Sequence, residues 1–165
     1  MTAKAEKEQD TFMNARDKKL KFTKCVKYLL DAMFYLGIII TITIPVSIKW
    51  LALFDPRWGQ YYVASIIIFF ILGIAALFIL WELRCIFKTV LEENCFVEAN
   101  VKSLRRMGNW SFFIVVMSLV RLAVFQTAAM MVIVLVFVIA GLFSKVLAMV
   151  FDEAIRYKEE NDLTI

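Results

Sequence analysis

Three charged side chains stand inside otherwise apolar runs: Asp31, Arg121 and Lys145. A charge at the centre of a bilayer costs about 2.5–3.5 kcal/mol on insertion scales, so each needs a partner or an escape to the headgroups. Asp31 lies about one helical turn inside its run and Lys145 about two turns. They can neutralise each other if the first and last runs touch; otherwise Lys145 snorkels along its own flexible stem. Arg121 lies deeper. Asp55 is the acid available on its side of the chain, and the alternative is that Arg121 lines a polar path for an anion or ligand. Other reactive chemistry is sparse. The chain has no His, which removes the commonest acid–base group and metal ligand. Cys25, Cys85 and Cys95 lack metal-ligand spacing and read as free thiols, with a Cys85–Cys95 redox pair as the alternative. Neither a glycine-rich phosphate loop nor a nucleophile elbow is present. The expectation is a non-enzymatic protein with no catalytic residues, no cofactor and no metal.

The elements that carry these residues follow from hydropathy. Of 165 residues, 62% are hydrophobic and 21% charged, and mean hydropathy is +0.75. A soluble domain of this size has too little interior to hide that much apolar surface, and a disordered chain would be poor in it. A bilayer core of about 30 Å takes about 20 apolar residues per helix. Spans are expected at 28–48 and 61–81. The run from Trp110 to Phe151 would be about 60 Å long as one helix, so it should fold back as spans 110–126 and 129–151, turning near 125–130. The fold class expected is all-α: a polytopic membrane protein, a four-helix transmembrane bundle with cytoplasmic helix extensions. Residues 1–27 form a basic tail and 28–165 the membrane domain. Pro45 inside the first span deprives the Thr41 carbonyl of its helical donor, and Thr41, Thr43 or Ser47 are at hand to satisfy the local backbone.

Basic residues orient the bundle. Lys4, Lys7, Arg16, Lys18, Lys19, Lys21, Lys24 and Lys27 precede the first span, and Arg84, Lys88, Lys102, Arg105 and Arg106 follow the second. The positive-inside rule puts both groups, and both termini, in the cytoplasm. Trp50, Trp58, Tyr61 and Tyr62 then mark the outer interface, with Tyr28, Trp81 and Trp110 at the inner one. The net charge of +4 thus reads as topology. Glu6, Glu8, Asp10 and Asp17 dilute the tail, and no direct nucleic-acid binding is expected.

Two spans continue past the membrane as one-sided helices, over 82–93 and 152–160. Leu83, Ile86, Phe87, Val90 and Leu91 form one apolar stripe, with Glu82, Arg84 and Lys88 opposite. Leu147, Val150, Phe151, Ala154 and Ile155 form the other. They either pack on each other, dock a cytoplasmic partner helix or lie on headgroups. Between them, Asn100 is suited to cap a short helix, Arg105 and Arg106 fall near anionic lipid, and Gly108 marks a break before the third span. Ala140, Ser144 and Ala148, with Gly141, form a small-residue row. It fits packing within the bundle or, alternatively, a homodimer.

The pattern Phe96, Asn100, Leu104, Arg105, Arg106, Gly108, with the ending Glu159-Glu160-Asn161-Asp162-Leu163-Thr164-Ile165, resembles a bacterial four-span membrane family of unknown function over most of residues 25–165. Cys95 stands where that family often has Pro. The resemblance implies a bacterial cytoplasmic-membrane protein, frequently encoded beside a small helix-turn-helix regulator, and carries no catalytic residues. The expected function is a regulatory or scaffold protein that binds a cytoplasmic partner such as a transcription regulator. Phe96, Asn100, Leu104, Arg105 and Arg106 are its candidate partner or lipid contacts, and Asp31, Arg121 and Lys145 its intramembrane polar residues. A small transporter or channel subunit is the alternative.

Overall fold

The computed structural model describes residues 2–54, 62–92, 95–124 and 128–162, and these form four helices. Helix α1 is Thr2–Phe54, α2 is Tyr62–Leu91, α3 is Glu98–Val124 and α4 is Ala128–Asp162. At 1.5 Å per residue, the 53 residues of α1 extend about 80 Å and the 35 of α4 about 50 Å. The backbone of residues 2–27, expected as a basic tail, runs on into the rest of α1 as one helix. Three helices are long and apolar enough to cross a membrane, over Leu20–Leu51, Tyr62–Leu91 and Ala128–Asn161. The third expected span lies in α3, which is not among them.

The apolar run after Trp110 is split between α3 and α4, and the point of reversal at 125–127 lies outside the described residues. Gly108 faces Lys145, while Gly141 faces Ser111 and Phe112, so α3 and α4 are antiparallel. The Phe78–Trp110 ring stack and the Glu82–Arg106 ion pair align α2 against α3 in the same sense. Thr41 against Gly73 and Asp31 against Arg84 do so for α1 and α2.

The helices pack in chain order. α1 lies on α2, α2 on α3 and α3 on α4, and among the described residues α1 and α4 do not approach each other. The bundle is thus an open series rather than a closed ring. A stripe at alternating spacings of three and four keeps one seam of a helix facing its neighbour. On α3 that stripe is Asn100, Leu104, Met107, Ser111, Ile114, Ser118 and Arg121, all buried. A cluster of buried apolar residues joins Ile86, Val101, Leu104, Met107 and Ala148, with Leu83, Val90, Leu147, Phe151 and Ile155 packed around it. The two apolar stripes predicted beyond the spans are therefore largely used inside the molecule, with α3 between them.

Elsewhere the burial pattern is inverted relative to a soluble protein. On α3, Ser111, Ser118 and Arg121 are buried, while Phe113, Val116, Leu119 and Val120 face outward. Ile39, Ile40, Ile42, Leu135, Val136, Ile139 and Phe143 are likewise exposed on α1 and α4. Apolar side chains outside and small polar ones inside suit a hydrocarbon solvent, in which helices associate through close packing of small residues.

Candidate functional site

The polar residues gather at two levels of the α2–α3 seam. At the end bearing the α2–α3 connection, Glu82 is buried and takes Arg106 in a two-pronged pair, Oε1 to Nε at 2.7 Å and Oε2 to Nη2 at 2.9 Å. Fork-to-fork geometry of this kind is stronger and more directional than a single contact. Glu82 was expected on the outward polar face of α2. It turns inward because it falls on the stripe that ends Ala75, Ile79, Glu82, Ile86, and Arg106 supplies the charge that makes this tolerable.

About two turns further, Asn100 is 1% exposed. Its Nδ2 donates to the Cys95 carbonyl at 2.8 Å, and its Oδ1 lies 2.8 Å from the Thr89 hydroxyl. That hydroxyl also lies 2.7 Å from the Ile86 carbonyl, and its single proton serves one of the two. Asn100 therefore does not act as the expected cap of a short helix. It sits within the first turn of α3 and ties the incoming loop to α2. Leu104, 4% exposed, is core. Of the five predicted contact residues, Phe96, Arg105 and Arg106 reach the surface. Phe96 packs on Phe151 at 5.2 Å between ring centroids, and Arg105 pairs with Asp152 at 2.9 Å.

The three charges expected within the membrane are not brought together. Asp31 pairs with Arg84 at 2.5 Å across the α1–α2 contact. The predicted meeting of Asp31 and Lys145 fails because α1 and α4 are on opposite flanks of the series. Lys145 instead lays its stem over Gly108 and donates to Asn109 Oδ1 at 2.6 Å. This contact also explains why Gly108 does not break the chain. It lies mid-helix, where a side chain would meet the Lys145 stem at 3.0 Å. Ser144, Ala148 and Gly141 are buried against α3, so the small-residue row is used within the chain.

At the far end of the α2–α3 seam, Arg121 is 2% exposed, donates to Ser65 Oγ at 3.2 Å and lies over the Phe69 ring at 4.5 Å. Asp55 lies outside the described residues. Near Pro45, the hydroxyls of Thr41, Thr43 and Ser47 donate to the carbonyls of Gly37, Ile39 and Thr43, each four residues back. Tyr62 Oη donates to the Pro45 carbonyl at 3.2 Å, pinning the start of α2 to the proline turn.

The signals missed from the sequence were the bidentate Glu82–Arg106 pair and the Asp31–Arg84 pair. Both were findable: Glu82 lies on a three-four stripe, and an antiparallel hairpin folded about its connection aligns Asp31 with Arg84. The three cysteines are free thiols, and the described residues contain no group of His, Cys, Asp and Glu able to hold a metal.

No curated protein and no solved structure matches the chain. A family model does, over residues 47–165, from within α1 to the last residue. That covers well over half of the sequence, and the chain belongs to the protein family of unknown function DUF2975.

Proposed function

We propose that the protein is a non-enzymatic four-span membrane protein that anchors or restrains a soluble cytoplasmic partner. The observation that carries this reading is one-sided projection. About half of α1 precedes its apolar part, and this half leaves the bundle at the end where Asp31–Arg84, Glu82–Arg106 and Arg105–Asp152 cluster. The charged end of α4 emerges there too. A bilayer of about 30 Å covers the apolar lengths and leaves this end in water. The inside-out pattern of α3, with Ser111, Ser118 and Arg121 inward and Phe113, Val116 and Val120 outward, supports the fourth span. The basic residues at the projecting end support its cytoplasmic placement.

Because the apolar stripes are largely used internally, the surface left for a partner carries exposed charges: Lys18, Lys21, Lys24, Arg105, Arg106 and the end of α4. The resemblance to a family encoded beside helix-turn-helix regulators suggests the partner's class. Cysteine labelling in intact cells is expected to modify the thiol of a Trp58→Cys variant from outside and Cys95 from inside only. Purification in mild detergent is expected to recover a small helix-turn-helix regulator, and deletion of 2–17 to release it. Repeated recovery of the membrane protein alone would sink the reading. Solute flux in proteoliposomes that Arg121→Ala abolishes would replace it with a transporter.

A further inference from the structure

Two grooves lie end to end along the outer side of the α1–α2 contact. One, of about 290 Å³, is lined by Phe34, Ile74, Leu77, Phe78 and Trp81. The other, of about 330 Å³, is lined by Lys27, Asp31, Trp81, Arg84, Cys85 and Lys88. Trp81 belongs to both. Phe34, in the apolar groove, lies 4.7 Å from the guanidinium carbon of Arg84, in the basic one. On α2 the lining runs Ile74, Leu77, Phe78, Trp81, Arg84, Lys88 down a single face. Wholly apolar lining thus changes to cationic lining at one tryptophan.

We propose that this continuous groove binds one anionic diacyl phospholipid, with an acyl chain against Phe34, Leu77 and Phe78 and the phosphate between Lys27 and Lys88. Charge complementarity selects the occupant. Lys27, Arg84 and Lys88 face Asp31 alone, and Asp31 is held by Arg84, so the groove carries a net positive charge. A phosphodiester without a compensating amine neutralises it, and a zwitterionic headgroup brings its own cation into the same space. Trp81 sits where indoles settle, at the junction of hydrocarbon and headgroup. Basic pockets between membrane helices hold acidic headgroups by this combination. The site rests on the proposal that α1 and α2 span the bilayer with this end at the headgroups.

The test uses the full chain in mild detergent with phosphatidylglycerol and phosphatidylcholine of the same acyl chains. Native mass spectrometry is expected to show phosphatidylglycerol retained at least tenfold over phosphatidylcholine, and Lys27→Gln with Lys88→Gln to bring the two level. Equal retention of both lipids by the native chain, an unchanged preference in the double variant, or displacement by millimolar inorganic phosphate would overturn the site. In reconstituted vesicles, brominated phosphatidylglycerol is expected to quench a fluorescence component that Trp81→Phe removes. Quenching equal for both brominated lipids counts against the site alone. Absence of quenching by either counts against the membrane reading beneath it.

Discussion

Removing one member of the Glu82–Arg106 pair leaves the other without its counter-charge. Glu82 is the buried member and Arg106 is more than half exposed, so Arg106→Ala leaves a carboxylate stranded in the seam. The expected loss is about 1–3 kcal/mol, seen as a lowered thermal midpoint in detergent. Glu82→Gln frees an Arg that can reach water and costs less. A double-mutant cycle should return a coupling of about 1 kcal/mol or more; simple additivity would show that the geometry contributes nothing. At Asp31 the partner assignment is decided by exchange. Asp31→Arg with Arg84→Asp should restore the stability that either single change removes, whereas Asp31→Lys with Lys145→Asp should not.

At the scale of the helix, two glycines separate close packing from mere small size. A Cβ on Gly73 would stand 2.9 Å from Thr41 Oγ1 and 3.0 Å from its Cγ2. Thr41 is β-branched and hydrogen-bonded to Gly37, so it has little freedom to yield. Gly73→Ala is expected to destabilise the α1–α2 contact by about 1–3 kcal/mol. The Cβ on Gly108 meets only the Lys145 stem, which can shift, and alanine gains about 0.8–1.0 kcal/mol of helix propensity. Gly108→Ala should therefore be near neutral. Parallel thermal unfolding of the two variants checks this, and a larger loss at Gly108 would contradict it. The existence of α1, α2 and α4 was legible in their apolar lengths, as was the splitting of the run after Trp110. The partners of the charges were not, because hydropathy places Asp31 and Lys145 by depth but says nothing of which flanks adjoin. Gly108 misled because a glycine at a helix–helix contact and a glycine at a break are the same letter. Phe96 and Arg105 are exposed, while Asn100 and Leu104 fall on the buried stripe that joins α3 to its neighbours, which residue type alone does not distinguish.

For the whole molecule, the open order of helices makes a prediction about distance. In a chain whose three cysteines are replaced by serine, a short flexible bis-maleimide should join cysteines introduced at Arg105 and Asp152. It should leave cysteines at Asp31 and Lys145 unjoined within one chain. An intramolecular product at the second pair would close the ring and refute the series. Asp31 and Lys145 joined between chains would instead place α1 of one copy beside α4 of another.

Since, among the described residues, every interface joins helices adjacent in sequence, each helix meets its neighbour as soon as the next has been synthesised. The contacts are local hairpins, so little loop-closure entropy is lost in forming them, and short sequence separations favour fast folding. α1 and α2 can pair while α3 is still on the ribosome, and α4 docks last on a surface already assembled. A chain halted after residue 92 should accordingly enter the membrane as a protease-resistant α1–α2 hairpin.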